Sequence, residues 1–240
     1  MPIAQLVKRR WKWLLLIIPV SLFVLVEAGT FIYIHFISPD PAPKLAFSDV
    51  PAATASSDAG DPSLTAAGAI DGTWKIGQGS RVQYRVQETL SGQNNEATGE
   101  DSAVTGQMVI AGTTVSAASF SVDMKKFETN EDQRNTQFHN RIMNTGQFPT
   151  ATFELTGPID LTAIPENLTQ ITVKATGKLT LHGATNTVTF DLLARRNGAH
   201  VEVNGTIPVT FSDYGISNPS GGPARVGDNG DLEFLLILTK

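Results

Sequence analysis

ITVKATGKLTLH, the stretch from Ile171 to His182, alternates between two classes of residue with a period of two. Its odd positions are Ile, Val, Ala, Gly, Leu and Leu, and its even positions are Thr, Lys or His. Successive side chains of a β-strand point to opposite faces, whereas an α-helix repeats every 3.6 residues. The stretch therefore predicts a strand with one apolar and one polar face.

The same alternation recurs along the second half of the chain. It is found in Val82–Val86, Phe120–Met124, Val188–Leu192, Val201–Val203, Ile207–Phe211 and Leu232–Lys240. Turn-forming residues separate these runs at Ser91–Asn95, Ala111–Gly112, Asn197–Gly198 and Ser217–Gly230. Many short strands with no helix-length pattern between them predict an all-β domain over residues 70–240, either an antiparallel barrel or a sandwich.

Composition and charge exclude several classes of function. The 240-residue chain contains no cysteine, which removes disulfide scaffolds, thiolate metal sites and thiol nucleophiles. Lys8, Arg9, Arg10 and Lys12 concentrate positive charge at the amino terminus, and the other 14 basic and 23 acidic residues leave about −9 on the remainder. Phosphate binding needs clustered Lys and Arg, so we expect no nucleic-acid partner.

The amino-terminal region predicts a membrane anchor. Residues 13–37 read WLLLIIPVSLFVLVEAGTFIYIHFI, an apolar run long enough to cross a bilayer as a helix. Residues 1–12 form a basic tail before it, which predicts a single-pass protein with a cytoplasmic amino terminus and an exported carboxy-terminal domain, periplasmic or extracellular. A cleaved signal peptide with an apolar region from Leu14 to Val26 is the alternative.

A linker connects this signal anchor to the β-domain. Residues 38–69 are rich in Pro, Ala, Ser and Asp and contain few large apolar side chains. Such a segment buries too little apolar surface to offset its ordering entropy, so we predict a disordered, flexible linker.

The chain carries no recognisable catalytic motif. It has no G-x-S-x-G sequence, its four His residues show no metal-binding spacing, and the Gly-rich stretch Ser217–Asp231 lacks the end of a phosphate-binding loop. The polar stretch Thr129–Phe153, TNEDQRNTQFHNRIMNTGQFPTATF, reads as a connector leading into a strand. We therefore predict neither an enzyme nor a metal site.

Four pieces of the β-domain together resemble the YceI-like proteins. They are Trp74–Tyr84 (WKIGQGSRVQY), Glu131–Arg134 (EDQR), Phe148–Phe153 (FPTATF) and Leu179–Thr185 (LTLHGAT). The resemblance covers about 170 residues, from Asp71 to Lys240. It implies an extended, lipocalin-like antiparallel β-barrel of about eight strands that binds polyisoprenoid lipids.

The resemblance leads to a functional hypothesis: a membrane-anchored, exported barrel that binds or shuttles an isoprenoid-type or other apolar lipid, with no cofactor other than a bound isoprenoid lipid or quinone. For each interior candidate, plain core packing is the competing interpretation. Asp132 and Arg134, which we expect to pair, and His139 and His182 are candidates for the polar connector or the mouth. The candidates for the barrel interior are the apolar members of the alternating strands: Tyr84, Phe120, Val122, Phe153, Val173, Leu179, Phe190, Phe211 and Phe234.

A second hypothesis belongs to a different class. A barrel filled by its own side chains would act as a ligand-free interaction module of the cell envelope, through its loops or through a membrane protein partner. Alternation along the strands does not distinguish the two, because a barrel of about eight strands is just wide enough to be filled or to hold one slender ligand.

Overall fold

The structure is a computed structural model that describes residues 18–29, 41–47, 70–161, 168–222 and 224–240. Residues 18–29 form helix α1. A short helix, α2 (Asp132–Gln137), continues into a π-helical turn at Phe138–Ile142. The strands are β1 (Gly72–Ile76), β2 (Arg81–Leu90), β3 (Gln93–Asp101), β4 (Val104–Ala111), β5 (Thr114–Asp123), β6 (Thr150–Leu155), β7 (Ile159–Asp160), β8 (Ile171–Leu181), β9 (Ala184–Asn197), β10 (His200–Thr210), β11 (Ala224–Val226) and β12 (Asn229–Thr239).

Within the described ranges, eight strands close into an antiparallel barrel in the order β1-β4-β5-β6-β8-β9-β10-β12, and β1 pairs with β12 to complete the ring. Strands β2 and β3 extend the wall at one end, because β2 follows β1 along the same edge of β12 and β3 pairs with β2. Strand β11 pairs with the end of β2. The prediction of an eight-stranded antiparallel barrel is confirmed.

The apolar face that predicted β8 points into the barrel and helps to fill it. Ala175, Gly177, Leu179 and Leu181 are buried, whereas Thr172, Lys174 and Lys178 on the other face are exposed. Pairing with β9 is continuous from Ile171↔Ala194 to Leu181↔Ala184. Because a one-residue slip would turn the apolar face to water, the buried face fixes this register.

The outer wall is covered at one place by residues 41–47, which we call the strap. Leu45 and Phe47 are buried against Leu235, with Leu193 packed beside them. Main-chain groups of the strap bond to side chains of the wall: Arg85 Nη2 donates to Ala42 O (2.7 Å), Asn204 Nδ2 to Leu45 O (2.9 Å) and Arg195 Nη2 to Phe47 O (3.1 Å).

The strap differs from the flexible linker predicted over residues 38–69. Leu45 and Phe47 are the large apolar side chains of its sequence PAPKLAF, and the outward-facing Leu235 gives them a surface on which to be buried. Tertiary packing thus offsets the ordering entropy of these seven residues. The rest of the predicted linker lies outside the described residues.

A buried charge network lies beneath the strap. Arg85 forms ion pairs with Glu233 (2.8 Å) and Glu96, and Gln83 Nε2 donates to Glu233 Oε2 at 3.0 Å. Glu233 also accepts a hydrogen bond from the main-chain N–H of Leu45. Buried charges need such partners, because an unpaired carboxylate would lose its hydration and gain no hydrogen bond or ion pair to offset that loss.

Part of the predicted membrane span is described. Residues 18–29 are helical, and the large apolar side chains along α1, such as Leu22, Phe23 and Leu25, are exposed. No helix in the described part of the chain is both long and apolar enough to cross a membrane. The remainder of the predicted span, residues 13–17 and 30–37, lies outside the described residues.

Candidate functional site

One end of the barrel encloses a cavity of about 520 Å³. Strand β2 lines it along most of its length, from Val82 through Tyr84 and Val86 to Leu90. Strands β5, β6, β8, β10 and β12 supply the other walls, and α2 with its π-helical turn covers part of the open end. The cavity has the volume of a small-molecule site, since such sites span about 300–1,000 Å³.

The wall of the cavity is predominantly apolar. The lining residues of β2 alternate with outward-facing polar residues, so this strand contributes every second residue. The apolar lining consists of Val82, Tyr84, Val86, Leu90, Ala97, Val122, Met124, Phe127, Phe138, Ile142, Met143, Ala151, Leu181, Val209, Phe211, Ile216, Leu232, Ala224 and Val226.

An aromatic cluster forms one side of the cavity. Tyr84 and Phe138 stack with ring centroids 5.2 Å apart, and Phe127 packs 6.0 Å from Tyr84 and 5.5 Å from Phe138. Gly99 on the paired strand makes room for the Tyr84 ring, because a Cβ there would lie 2.5 Å from Tyr84 Cε1. Burial raises the pKa of Tyr84, so its hydroxyl stays neutral in the pH range of a cell.

Polar groups are confined to the open end of the cavity. Arg134 on α2 pairs with Glu88 on β2 at 3.5 Å, and Arg134 Nη1 donates to Asn130 Oδ1 at 2.9 Å. Glu131, Gln133 and Gln137 also line this rim. The arrangement combines a dry interior with a hydrogen-bonding mouth.

The predicted pairing of Asp132 with Arg134 is corrected by the structure, in which the ion-pair partner of Arg134 is Glu88. Both predicted partners lie on α2, and side chains two positions apart on a helix do not face each other. The Oγ1 of Thr136 donates to the main-chain carbonyl of Asp132. Arg134 lines the cavity, and Asp132 does not.

The two candidate histidines lie outside the cavity lining. His139 packs edge-on against Phe138, and its Nδ1 lies 3.4 Å from Thr145 Oγ1. His182, at φ +50° in the β8–β9 turn, has Nδ1 3.1 Å from the carbonyl oxygen of Tyr214 and its ring against Phe148. These contacts hold turns and the connector in place.

The nine predicted interior residues divide into three layers along the barrel. Tyr84, Val122 and Phe211 line the cavity. Phe120, Phe153 and Val173 line a second, smaller cavity of about 80 Å³ towards the other end. Leu179, Phe190 and Phe234 lie in neither lining and are buried between the two.

Sequence reasoning missed the contribution of the connector. Phe138, Ile142 and Met143 belong to the stretch that reads as polar, yet they complete the cavity wall. The Gly-rich loop after Ile216 also contributes, and Arg141 Nη2 holds it by donating to Pro219 O at 2.9 Å. Strand alternation already pointed to Val82 and Val86, but only the tertiary structure brings the connector to the barrel end.

Metal coordination has no visible site in the described ranges, where no three His, Asp or Glu side chains come together. The carboxylate of Glu88 at the rim is engaged with an arginine and an amide. It accepts from Asn95 Nδ2 at 2.6 Å and pairs with Arg134. The chemistry of the site is apolar burial with hydrogen bonding at its mouth.

Two solved structures have a fold similar to that of this chain. The structure is similar to a polyisoprenoid binding domain from Saccharophagus degradans implicated in plant cell wall breakdown, with a TM-score of 0.56 and 17% identity over 70% of this chain and 97% of that one. It is also similar to BcnA of Burkholderia cenocepacia, with a TM-score of 0.52 and 21% identity over 66% of this chain and 95% of that one. At these identities the likeness shows a shared fold.

No curated protein matches the chain in sequence. The sequence model of the YceI-like domain matches residues 74–238, which include every residue that lines the larger cavity. The chain therefore belongs to the YceI-like family.

Proposed function

We propose that this protein binds a lipid with a long apolar chain, of isoprenoid type or similar, in the larger cavity. The observation that carries the proposal is the 520 Å³ space with apolar walls and polar groups only at its mouth. Each methylene moved from water into such a space gains about 0.8 kcal/mol, so a single five-carbon isoprene unit gains roughly 4 kcal/mol.

The rim suits the polar end of such a lipid. A hydroxyl, quinone or amide group at the mouth could bond to Arg134, Gln133 or Gln137 while the chain lies against the strands. No step of this function needs a nucleophile or a general base, so the role is binding rather than catalysis. The similar domain from Saccharophagus degradans is described as polyisoprenoid binding, which supports the ligand class.

The proposal includes anchoring by residues 13–37, with the barrel exported. Its support is the long apolar run, the basic residues before it, and the exposed apolar side chains of α1 within it. Retention of the full chain in the membrane after alkaline carbonate washing would support an anchor, and release by that wash would contradict it. Protease added to spheroplasts, in which any outer membrane has been opened, should then digest the barrel and not the amino-terminal tail.

The test of lipid binding uses the full chain, extracted from its membrane in polymer nanodiscs and analysed by native and solvent-extraction mass spectrometry. Wild type should carry an apolar lipid that Ala151→Phe lacks, because Ala151 is buried in the cavity wall and a ring there occupies the ligand space. Thr152→Phe is the matched control, since Thr152 is the next residue on β6 and faces outward.

Comparison between the two variants removes the background of bilayer lipids that every preparation contains. An identical lipid profile for wild type and a folded Ala151→Phe would contradict the proposal. Loss of the lipid from Thr152→Phe as well would show that the effect is not specific to the cavity.

A further inference from the structure

Three phenylalanine rings form a layer across the barrel between its two cavities. Phe190 on β9 packs edge-to-face against Phe153 on β6 at 5.6 Å and against Phe234 on β12 at 5.8 Å between ring centroids. Leu179, which pairs with Phe153, is buried beside them. Phe153 also lines the smaller cavity, Phe190 and Phe234 line neither, and the two cavities share no lining residue, so this layer separates them.

Glycines on the intervening strands hold the rings. A Cβ on Gly177 of β8 would lie 2.3 Å from Phe153 Cζ, and one on Gly205 of β10 would lie 2.5 Å from Phe234 Cζ. The neighbouring strands β6, β8, β9, β10 and β12 thus contribute Phe, Gly, Phe, Gly and Phe in turn. Edge-to-face rings packed on glycine are a specific arrangement, because any larger residue at either glycine would displace a ring.

The layer lies at a definite depth below the mouth. Val82 pairs with Phe234, and Leu90 lies eight residues further along β2 at the rim. Eight residues of strand rise about 26 Å, and a strand tilt of about 40° reduces this to roughly 20 Å along the barrel axis. A straight chain entering at the rim therefore meets the rings after about that distance.

We propose that the layer of Phe153, Phe190 and Phe234 ends the ligand chain and so sets an upper limit on its length. The ligand class is then a single-chain lipid whose tail fits between the rim and the rings, rather than one that threads the whole barrel. This inference rests on the proposed function, because it concerns the floor of the same cavity.

The test measures binding of primary n-alcohols, from octanol to docosanol, to the full chain in phosphatidylcholine nanodiscs by displacement of a fluorescent fatty acid. With affinity referred to the concentration of alcohol free in water, each methylene that fits should tighten binding by about fourfold, and each one beyond the layer should add nothing. The ratio of variant to wild-type affinity at each chain length cancels the partition of the alcohols into the bilayer.

Phe190→Ala removes the central ring and should join the two cavities. The affinities of short alcohols should be unchanged, while the chain length at which affinity stops rising should increase. Val173→Ala is the matched control, because it enlarges the smaller cavity without opening the layer. In this variant, affinity should stop rising at the same chain length as in wild type; we call that length the break in the series.

A second variant, designed to shorten the cavity, keeps the proposal testable if Phe190→Ala does not fold. Leu181 lies one inward-facing position mouthward of Leu179, so Leu181→Phe should raise the floor and move the break to shorter alcohols. A break that is absent, or that stays at one length in wild type and every folded variant, would overturn the chain-length limit while leaving lipid binding intact. Failure of wild type to bind any alcohol would overturn the proposed function itself.

Discussion

A side chain at Gly205 would clash with the interior of the barrel. The ring of Phe234 occupies the place of its Cβ, and the wall atom Leu192 Cβ lies 3.3 Å from that position. We expect Gly205→Ala to lower the free energy of unfolding by about 1–3 kcal/mol, as overpacking of a close-packed core does. Urea denaturation measures the change.

Gly146→Ala is the control for that substitution. A Cβ at Gly146 meets nothing within 4 Å, and the residue does not have a left-handed backbone conformation. Its stability should therefore stay within about 0.5 kcal/mol of wild type. Equal effects of the two alanines would show that the ring does not rest on Gly205.

Asp101 is a buried carboxylate with one oxygen bonded and the other without a hydrogen-bond partner among the described residues. Its Oδ1 accepts from the main-chain N–H of Ala103 at 2.7 Å. Burial raises the pKa of Asp101 above that of an exposed aspartate. The protonated form is therefore favoured in the folded state more than in the unfolded state.

The sign of the pH dependence follows from this raised pKa. Stability gained by protonation is fully present below the ordinary aspartate pKa and is lost as the pH rises through the raised folded-state pKa. In urea denaturation at a series of pH values, Asp101→Asn should be as stable as wild type or more so at neutral pH and should lose that advantage in acid. An advantage that grows on acidification would contradict the assignment.

The strap, residues 41–47, packs on the outer wall of the barrel. It covers Leu235, which faces outward from β12 and would otherwise expose an apolar surface next to the charged side chains of Arg85 and Glu233. The double substitution Leu45→Ala and Phe47→Ala should therefore lower the free energy of unfolding by about 2–5 kcal/mol. It should also make residues 41–47 accessible to protease.

Leu168→Ala is a suitable control for the strap, because Leu168 is 54% exposed and its truncation removes little buried surface. Stability unchanged in the double variant would mean that the strap does not cover the wall in solution. Fragments that begin at residue 71 lack the strap, so they should be less stable than fragments that begin at residue 38.

At the scale of the whole molecule, a bound lipid should stabilise the barrel by mass action. A ligand present at about 100 times its Kd adds roughly 2.7 kcal/mol to the free energy of unfolding if it binds only the folded state. Removing the lipid from wild type should lower Tm, and adding it back should restore Tm. Ala151→Phe should show no change on either step. Equal responses of wild type and this variant would place the stabilising lipid outside the cavity.

The sequence predicted the strands because the evidence for them is local. The period-two pattern of Ile171–Leu181 and the turn at Asn197–Gly198 specify strands and hairpins wherever the rest of the chain lies. The same pattern identified Tyr84, Val122 and Phe211 as inward-facing, and they line the cavity. Alternation gives the face of a strand on which a residue lies and not its depth along the barrel.

By itself, then, the sequence determined an all-β antiparallel domain with an interior built from alternate residues, and its resemblance to the YceI-like proteins pointed to a barrel. Only the tertiary structure decided that Phe153, Phe190 and Phe234 meet and divide that interior, because the contact depends on strand stagger and on glycines contributed by other strands. It also decided that Phe138 closes the cavity, that Arg134 pairs with Glu88, and that residues 41–47 pack on the wall. The physical reason is that strand formation follows local periodicity, whereas a cavity is the space left among side chains that are distant in sequence.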